Sequence, residues 1–534
     1  MKDISSTGSF VDFTLENFIY VDKTVYIPQL VKLKRVFISR PRRFGKSLTL
    51  DTIATLFETG VEPYFKGTWI YDKWTEPTYP VLRLNFLNFD KYSLEHFKQK
   101  LNAIISSFAR DINVKNYEEK VEPEDTIYFL LDELRKEKRQ IVILIDEYDC
   151  QMTANINNET LYKQFQEKIK SFYANIKDKF AIKFLGITGV TRLKDVSIFS
   201  VGSDINDITN ASAYSQMIGF TRDEIKKYYI DYLKLASSYE NNCSVDDVTD
   251  TQLESMLDMM AQNYDGYCFD EDYEKKVFST WSVNSFFQSI IENKFVDFGE
   301  YWYDNGGLPS ILVNYLKTHE LNIFDYLDKD KSLKVTDDDF KNPTALTSMN
   351  QNVLMCQTGY LTLRSSLNDS NIIALGIPNG EIYKALNKLL AAKFFKGTID
   401  VTNDANGSVE DIISLLNTMV NTVTYDAYPL NSESSVQNYV KAYLLGAKQN
   451  VFSEIHQAKG RADLMIETNK RRIVIEFKYA KDETEAKAKL SEAIEQIKSR
   501  DYGNILPKKA ELLRIAAVFN ADPKVRAFTL SQQV

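Results

Sequence analysis

The sequence predicts an α/β protein of more than one domain, and three observations point there. The chain has 534 residues, whereas single cores stop growing at roughly 250–300. Short apolar runs alternate with helix-length stretches from Arg35 to about Gly219. After a long helical interval, a second strand-rich stretch runs from Ala462 to Phe519.

The first set of strands is read at Arg35–Ser39 and at residues 81–86, 141–145 and 181–187. These continuous β-rich runs suit parallel strands covered on both faces. The intervals between them, such as 47–58, are long enough for crossover helices. Residues 1–220 are therefore expected to form one domain around an open parallel sheet. From Thr221 onward the pattern turns helical, and Thr221-Arg222-Asp223-Glu224 offers a threonine cap followed by acids. The many Tyr and Phe residues there read as helix-packing core, and Asn305-Gly306-Gly307-Leu308-Pro309 reads as a turn. Residues 221–400 are expected to be a mainly helical lid or linker. The polar stretch 402–408 opens a third domain, 401–534. Its expected order is a helix near 434–447, strands at 462–467 and 472–478 joined through 468–471, a helix over 484–499 and a strand at 514–519.

Composition narrows the chemistry. Hydrophobic residues make up 44% and charged residues 26%, with a net charge of −9, which is ordinary for globular domains. So acidic a chain is a poor non-specific binder of nucleic acid as a whole. The charge is uneven, however: residues 448–509 hold 14 Lys plus Arg against 10 Asp plus Glu, a local +4. The three histidines, His96, His319 and His456, lie in no pattern with another ligand or nucleophile, which argues against imidazole acid–base chemistry and zinc. Cys150, Cys243, Cys268 and Cys356 form no CxxC pair, which suits a reducing compartment. Apolar runs such as 141–145 fall well short of the ~18 residues a membrane span needs. The start, Met1-Lys2-Asp3-Ile4-Ser5-Ser6, has no apolar signal core. A cytoplasmic location and no membrane partner are expected.

Two motifs carry the first chemistry. Arg40-Pro41-Arg42-Arg43-Phe44-Gly45-Lys46-Ser47 follows a strand and opens a helix. In that setting backbone N–H groups wrap phosphate oxygens, Lys46 reaches the β- and γ-phosphates, and the Ser47 hydroxyl ligates Mg2+. Arg40 stands where GxxxxGK[ST] has its first glycine. The run at 141–145 ends in Asp146 and Glu147, and adjacent carboxylates at a buried strand end need a partner or a metal. Asp146 is expected to hold Mg2+ through water and Glu147 to act as general base. An extra strand, 81–86, falls between the two motifs. At the end of the next strand Thr188 is placed to sense the γ-phosphate, and Arg192 to stabilise transition-state charge.

A second motif lies at Asp463, Glu476 and Lys478. Glu476 and Lys478 share one face of a strand, and Asp463 sits across the hairpin. The two carboxylates can hold Mg2+ or Mn2+, and Lys478 can position a water or stabilise developing charge. Glu454 is a further candidate acid before the hairpin.

On these residues the chain resembles the bacterial AAA-ATPase-like family with a C-terminal nuclease-superfamily domain. The resemblance is carried by 40–47, by Leu144-Ile145-Asp146-Glu147-Tyr148-Asp149 and by Val21-Asp22-Lys23-Thr24. Later blocks continue it: Ile198-Phe199-Ser200, Tyr264-Asp265-Gly266-Tyr267-Cys268-Phe269, Gln357-Thr358-Gly359-Tyr360-Leu361-Thr362 and Ile377-Pro378-Asn379. The resemblance implies that an arginine in place of the first loop glycine is normal there. Asp-x12-Glu-x-Lys over 463–478 resembles the PD-(D/E)xK site, with Ala462 where that pattern has proline. Gln496 and Tyr502 resemble its Gln–Tyr element. The implied architecture is a P-loop NTPase with a parallel sheet, a helical middle and a C-terminal α/β PD-(D/E)xK nuclease-like domain. ATP and Mg2+ are the expected cofactors.

Three functional readings follow. The first is an ATP-hydrolysing protein coupled to metal-dependent cleavage of nucleic acid, DNA ahead of RNA, with a homo-oligomer left open. The second is an ATP-dependent signalling switch whose C-terminal domain is catalytically inactive and only binds nucleic acid or a partner. A small-molecule phosphotransferase would leave the C-terminal motif unexplained.

Overall fold

The structure is a computed structural model of the chain. It describes residues 1–534 except 177–179, 194–203, 305–310, 313, 316–318, 320–324, 344, 367–370, 395–406, 422–429, 447–449, 458–459, 468–470 and 505–509. The block at Ile198-Phe199-Ser200, the turn at 305–309, most of the 402–408 loop and the hairpin joint at 468–470 lie outside the described residues. The backbone separates into two compact units, Met1–Glu320 with Asp330–Ile382, and Leu321–Lys329 with Tyr383–Val534. Among the described residues no helix is long and apolar enough to cross a membrane.

The first unit is built on β1 (Arg35–Ser39), α1 (Lys46–Thr59), β2 (Val81–Asn85), α2 (Leu94–Asp111), α3 (Pro123–Lys136), β3 (Ile141–Asp146), α4 (Glu159–Asn175), β4 (Ile182–Gly189) and the two-residue β5 (Asn206–Asp207). The strands pair in parallel in the order β2-β3-β4-β1-β5. Every residue of β1 and β3 is buried, and covering on both faces explains why their centres, Val36–Ile38 and Ile141–Ile145, are apolar. The register decides where chemistry gathers. Ser39 lies beside Gly189, Ile145 beside Ile187, and Asn85 beside Asp146. The C-terminal ends of β1, β3 and β4 therefore form one edge, the usual place for ligands in open α/β sheets.

After this sheet come α5 (Arg222–Tyr228), α6 (Ile230–Asn241), α7 (Asp250–Tyr264) and α8 (Thr280–Asn293). The Thr221 hydroxyl accepts from the Glu224 N–H at 3.2 Å, and the Glu224 carboxylate accepts from the Thr221 N–H at 2.8 Å, which closes a capping box. The aromatic residues pack as core. Tyr229 stacks on Phe287 at 5.3 Å, beside Leu233, Met256 and Met260. The middle region is not helical throughout, because β6 (Leu333–Thr336), β7 (Thr362–Ser366) and β8 (Ile372–Gly376) form an antiparallel sheet in the order β6-β8-β7. These runs of four or five residues are too short to stand out among long helical periodicities.

The second unit contains α9 (Val409–Asn421), α10 (Glu433–Gly446), β9 (Asn450–Gln457), β10 (Gly460–Glu467), β11 (Arg471–Ala480), α11 (Glu483–Arg500), β12 (Glu511–Asn520) and β13 (Ala527–Gln533). The sheet order is β9-β10-β11-β12-β13. β9, β10 and β11 are antiparallel neighbours, and β11 runs parallel to β12 through the crossover helix α11. Ala493, Ile497 and Tyr502 close over Met465, Val474 and Ala516 as the core. The outer strands β9 and β13 are additions to the expected hairpin, helix and strand.

One close approach ties the middle region to the phosphate loop. Gly359 has φ +93°, and a Cβ there would stand 2.8 Å from the Pro41 Cβ. Gly359→Ala meets both a left-handed backbone and that contact, so it is expected to destabilise the first unit by about 1–3 kcal/mol. A urea titration against wild type measures it.

Candidate active sites

The segment from Arg40 to Gly45 turns from β1 into α1 through left-handed φ values at Arg43 (68°) and Gly45 (101°). The Arg40 N–H donates to the Gly189 carbonyl at 3.2 Å, which hangs the start of the loop on β4. Lys46 Nζ donates to the Arg40 and Pro41 carbonyls, both at 3.1 Å, and lies 3.7 Å from Glu147 Oε1. Three strand ends then meet on one carboxylate. Asp146, 6% exposed, accepts from Ser47 Oγ at 2.6 Å, from Thr188 Oγ1 at 2.6 Å and from the Glu147 N–H at 3.0 Å. Glu147 sits in a left-handed conformation at φ 54°. Burial pushes its carboxyl up and Lys46 opposes that shift.

The remaining predicted residues are held differently. Arg40, 1% exposed, turns away from the loop mouth. Its guanidinium donates to the Ser39 carbonyl at 2.9 Å and to the Thr209 carbonyl, and lies 4.2 Å over the Phe269 ring. Burial pulls its pKa down to about 9, with Asp207 opposing. The first-glycine position thus carries an anchor beneath the loop. Arg192 is ion-paired with Asp207, and its N–H donates to Gln357 Oε1 at 3.1 Å. Sequence reasoning assigned nothing to Tyr148 and Asp149, yet they set the strand end. Asp149 accepts from the Thr191 N–H at 2.7 Å, and the Tyr148 hydroxyl donates to the Thr191 carbonyl at 3.0 Å. A Cβ on Gly189 would fall 2.5 Å from the Tyr148 ring. The adjacent acid and aromatic after Glu147 were the signal available.

A cavity of about 160 Å³ opens beside the loop, lined by Ile19, Tyr20, Phe44, Leu48, Met217 and Trp281 among others. Lys23 also borders it and is tied at 2.7 Å to both Glu224 and the Gln216 carbonyl. Burial draws the Lys23 pKa down against the pull of Glu224. The lining residues come from four distant stretches of chain, so no local pattern marks the cavity.

In the second unit the Asp463 carboxylate on β10 accepts from the Phe477 N–H of β11 at 2.9 Å. Glu476 is 0% exposed, and its Oε2 has no hydrogen-bond partner among the described residues. Lys478 Nζ lies 3.3 Å from Glu476 Oε1 and 3.6 Å from Glu433 Oε1. Burial pulls the Lys478 pKa down, and Glu476, Glu433 and Asp463 together more than offset it, so the net shift is upward. Glu433, the first residue of α10, was not foreseen, because an acid at a helix start reads as a cap. Gln496 on α11 is engaged by the Tyr502 hydroxyl at 3.3 Å. Glu454 falls on β9, where the side chains lie outside the described residues. Among the described residues no group of three or more His, Cys, Asp or Glu side chains converges in a form that could hold a metal ion.

Burial first, then the Asp463 charge, pushes the Glu476 carboxyl up to about 7 from its ordinary 4.5. The folded protein then holds a proton that the unfolded chain releases. The associated stability is fully present below the unfolded value and is lost as pH rises through about 7. In metal-free buffer, melting midpoints of wild type are expected to fall more steeply from mildly acidic to mildly alkaline pH than those of Glu476→Gln.

Comparison with known proteins places two family matches on the chain. Residues 5–199 match the family described as "Predicted AAA-ATPase", and residues 431–528 match the PD-(D/E)XK nuclease superfamily. The chain is 24% identical over 533 residues to the "Uncharacterized protein in vnfD 5'region" of Azotobacter chroococcum mcd 1, covering 95% of this chain and 94% of that one. Among solved structures it is similar to Cdc6p of Pyrobaculum aerophilum, with a TM-score of 0.22 and 11% identity over 69% of this chain and 92% of the other. It is also similar to Aeropyrum pernix Orc1 in complex with DNA, with a TM-score of 0.25 and 10% identity over 73% and 100%.

Proposed function

We propose that this chain, which joins an AAA-ATPase-like domain (5–199) to a PD-(D/E)XK nuclease-superfamily domain (431–528), binds and hydrolyses ATP and couples nucleotide state to metal-dependent cleavage of nucleic acid. The observation that carries the ATPase half is the convergence of Ser47 and Thr188 on Asp146, with Lys46 and Glu147 alongside.

In this reading the triphosphate takes the place of the Arg40 and Pro41 carbonyls as the partner of Lys46. The base enters the apolar cavity beside Phe44 and Leu48. Ser47 and Asp146 fit Mg2+, since a hydroxyl and a carboxylate are the hard oxygen donors it prefers. The second site fits a divalent cation as well, because Glu476 Oε2 is buried without a partner and Asp463 adjoins it; Asp463 and Glu476 would hold Mg2+ or Mn2+ there. Bound at either site, the cation supplies Lewis-acid charge against a phosphate oxygen. Glu147 accepts the proton of the attacking water, and Thr188 orients the phosphate end of the pocket. In the second unit Lys478 is pulled toward Glu476 and Glu433, which holds an ammonium ready for a phosphodiester's developing charge. The nuclease-superfamily match supports nucleic acid as the substrate class.

Two measurements test the two halves. Lys46→Ala is expected to lose ATP turnover at least about 100-fold, and Glu147→Gln to keep nucleotide binding while turnover falls by a similar factor. Normal turnover in both would sink the ATPase assignment. Cleavage of DNA and RNA with Mg2+ or Mn2+, with and without ATP, is expected for wild type and lost in Asp463→Ala and Lys478→Ala. Intact ATP turnover with no cutting under any condition would favour an ATP-dependent switch whose C-terminal domain only binds.

A further inference from the structure

The phosphate loop is gripped by its carbonyls. That of Arg42 accepts from Trp302 Nε1 at 3.3 Å. That of Arg43 accepts from Thr280 Oγ1 at 3.0 Å and from the Trp281 N–H at 3.4 Å. The N–H groups of Arg43 and Phe44 belong to the same two peptide units, and they have no hydrogen-bond partner among the described residues. Both peptides are trans, and in a trans peptide the N–H points opposite to the C=O. Holding the two carbonyls on the middle region therefore turns two free donors to the other side of the loop, as phosphate binding by backbone requires.

One buried carboxylate fastens both grips. Glu381, 2% exposed, lies in the first turn of the helix Gly380–Phe394. Its Oε1 accepts from the Trp302 N–H and its Oε2 from the Ser282 hydroxyl, both at 2.7 Å. Trp302 is the residue that caps Arg42. Ser282 lies in the first turn of α8, whose opening residues Thr280 and Trp281 cap Arg43. A buried carboxylate is costly unless hydrogen-bonded, and its bonds are short and directional. Apolar packing could fill the same space, but it would not fix the angle of either capping group.

We propose that Glu381 is a positioning residue for triphosphate binding: through Trp302 and Ser282 it holds the Arg42 and Arg43 carbonyls on the middle region, so that the Arg43 and Phe44 N–H groups stand ready for phosphate oxygens. The inference rests on the ATPase reading above. It separates two parts of nucleotide recognition. The base is taken by the apolar cavity, which none of Glu381, Trp302 and Ser282 lines. The relay acts where the phosphates bind, so breaking it weakens a triphosphate and spares a nucleoside.

The test uses the full chain and the variants Trp302→Phe, Glu381→Met, Glu381→Gln and Lys46→Ala. Affinities for adenosine and for the non-hydrolysable β,γ-imido analogue of ATP with Mg2+ are measured by calorimetry, beside thermal melting. Trp302→Phe keeps an aromatic ring and removes the N–H that caps Arg42, so it should fold even where Glu381→Met does not. Trp302→Phe and Glu381→Met are each expected to bind the triphosphate about tenfold more weakly, with adenosine bound as by wild type. Glu381→Gln still offers an acceptor to Trp302 and is expected to regain part of that loss. Wild-type triphosphate affinity in either Trp302→Phe or a folded Glu381→Met, with Lys46→Ala weakened, overturns the inference and leaves the ATPase reading intact. Equal losses for adenosine and the triphosphate make the role one of general packing and also overturn it. Binding of neither ligand by wild type overturns both.

Discussion

A single buried carboxylate organises the first unit. Asp146 ends β3 with both oxygens inside the protein, and a buried charge of that kind is tolerated only when fully hydrogen-bonded. Its partners come from elsewhere in the chain, Ser47 at the start of α1 and Thr188 at the end of β4. They can reach it only if β4 lies between β3 and β1 with the strand ends level. The observed order and register provide that. The strand order, the placement of the phosphate loop and the chemistry of the pocket are thus aspects of one electrostatic requirement.

The loop is held from outside as well as from the sheet. Carbonyls that point away from a phosphate-binding loop need donors, and here the middle region provides them. Trp302 caps the Arg42 carbonyl at 3.3 Å, and Thr280 caps that of Arg43 at 3.0 Å. Trp302 is in turn fixed by the buried Glu381, which accepts its N–H at 2.7 Å and the Ser282 hydroxyl at 2.7 Å. Arg40 adds an anchor beneath the loop, against Thr209 and Phe269. A change in loop conformation on nucleotide binding would be felt directly by these segments, since packed interiors shift between discrete arrangements rather than yielding smoothly.

The second unit gathers charge of a different kind. Glu476 and Lys478 lie two residues apart on β11, and the Lys478 ammonium is shared between Glu476 and Glu433. Replacing buried ion pairs with apolar residues is often neutral or stabilising, so such a cluster is weak evidence for a stability role. A carboxyl pushed up to about 7 beside a second carboxylate is the pattern expected of a functional site. The core beneath it, from Met465 and Val474 to Ala493 and Ile497, is small and apolar and can carry the charged edge.

Much of this was legible in the linear chain because it is local. The apolar centres of β1 and β3, the Thr221 capping box, the Gly45-Lys46-Ser47 turn into α1 and the Asp463–Glu476–Lys478 spacing each lie within one or two elements, where period and residue type decide the outcome. What depended on the third dimension is non-local. The short β6–β8 sheet and the outer strands β9 and β13 exist by pairing rather than by propensity. The apolar cavity draws on residues from Ile19 to Trp281. Glu433 reaches Lys478 from a separate helix. The loop arginines look interchangeable in sequence, and only packing distinguishes Arg40 under Phe269 from Arg43 on Trp281. Sequence specified which chemical groups are present and which elements carry them. The tertiary structure decided which groups meet, because burial and hydrogen bonding act across distances that no local pattern encodes.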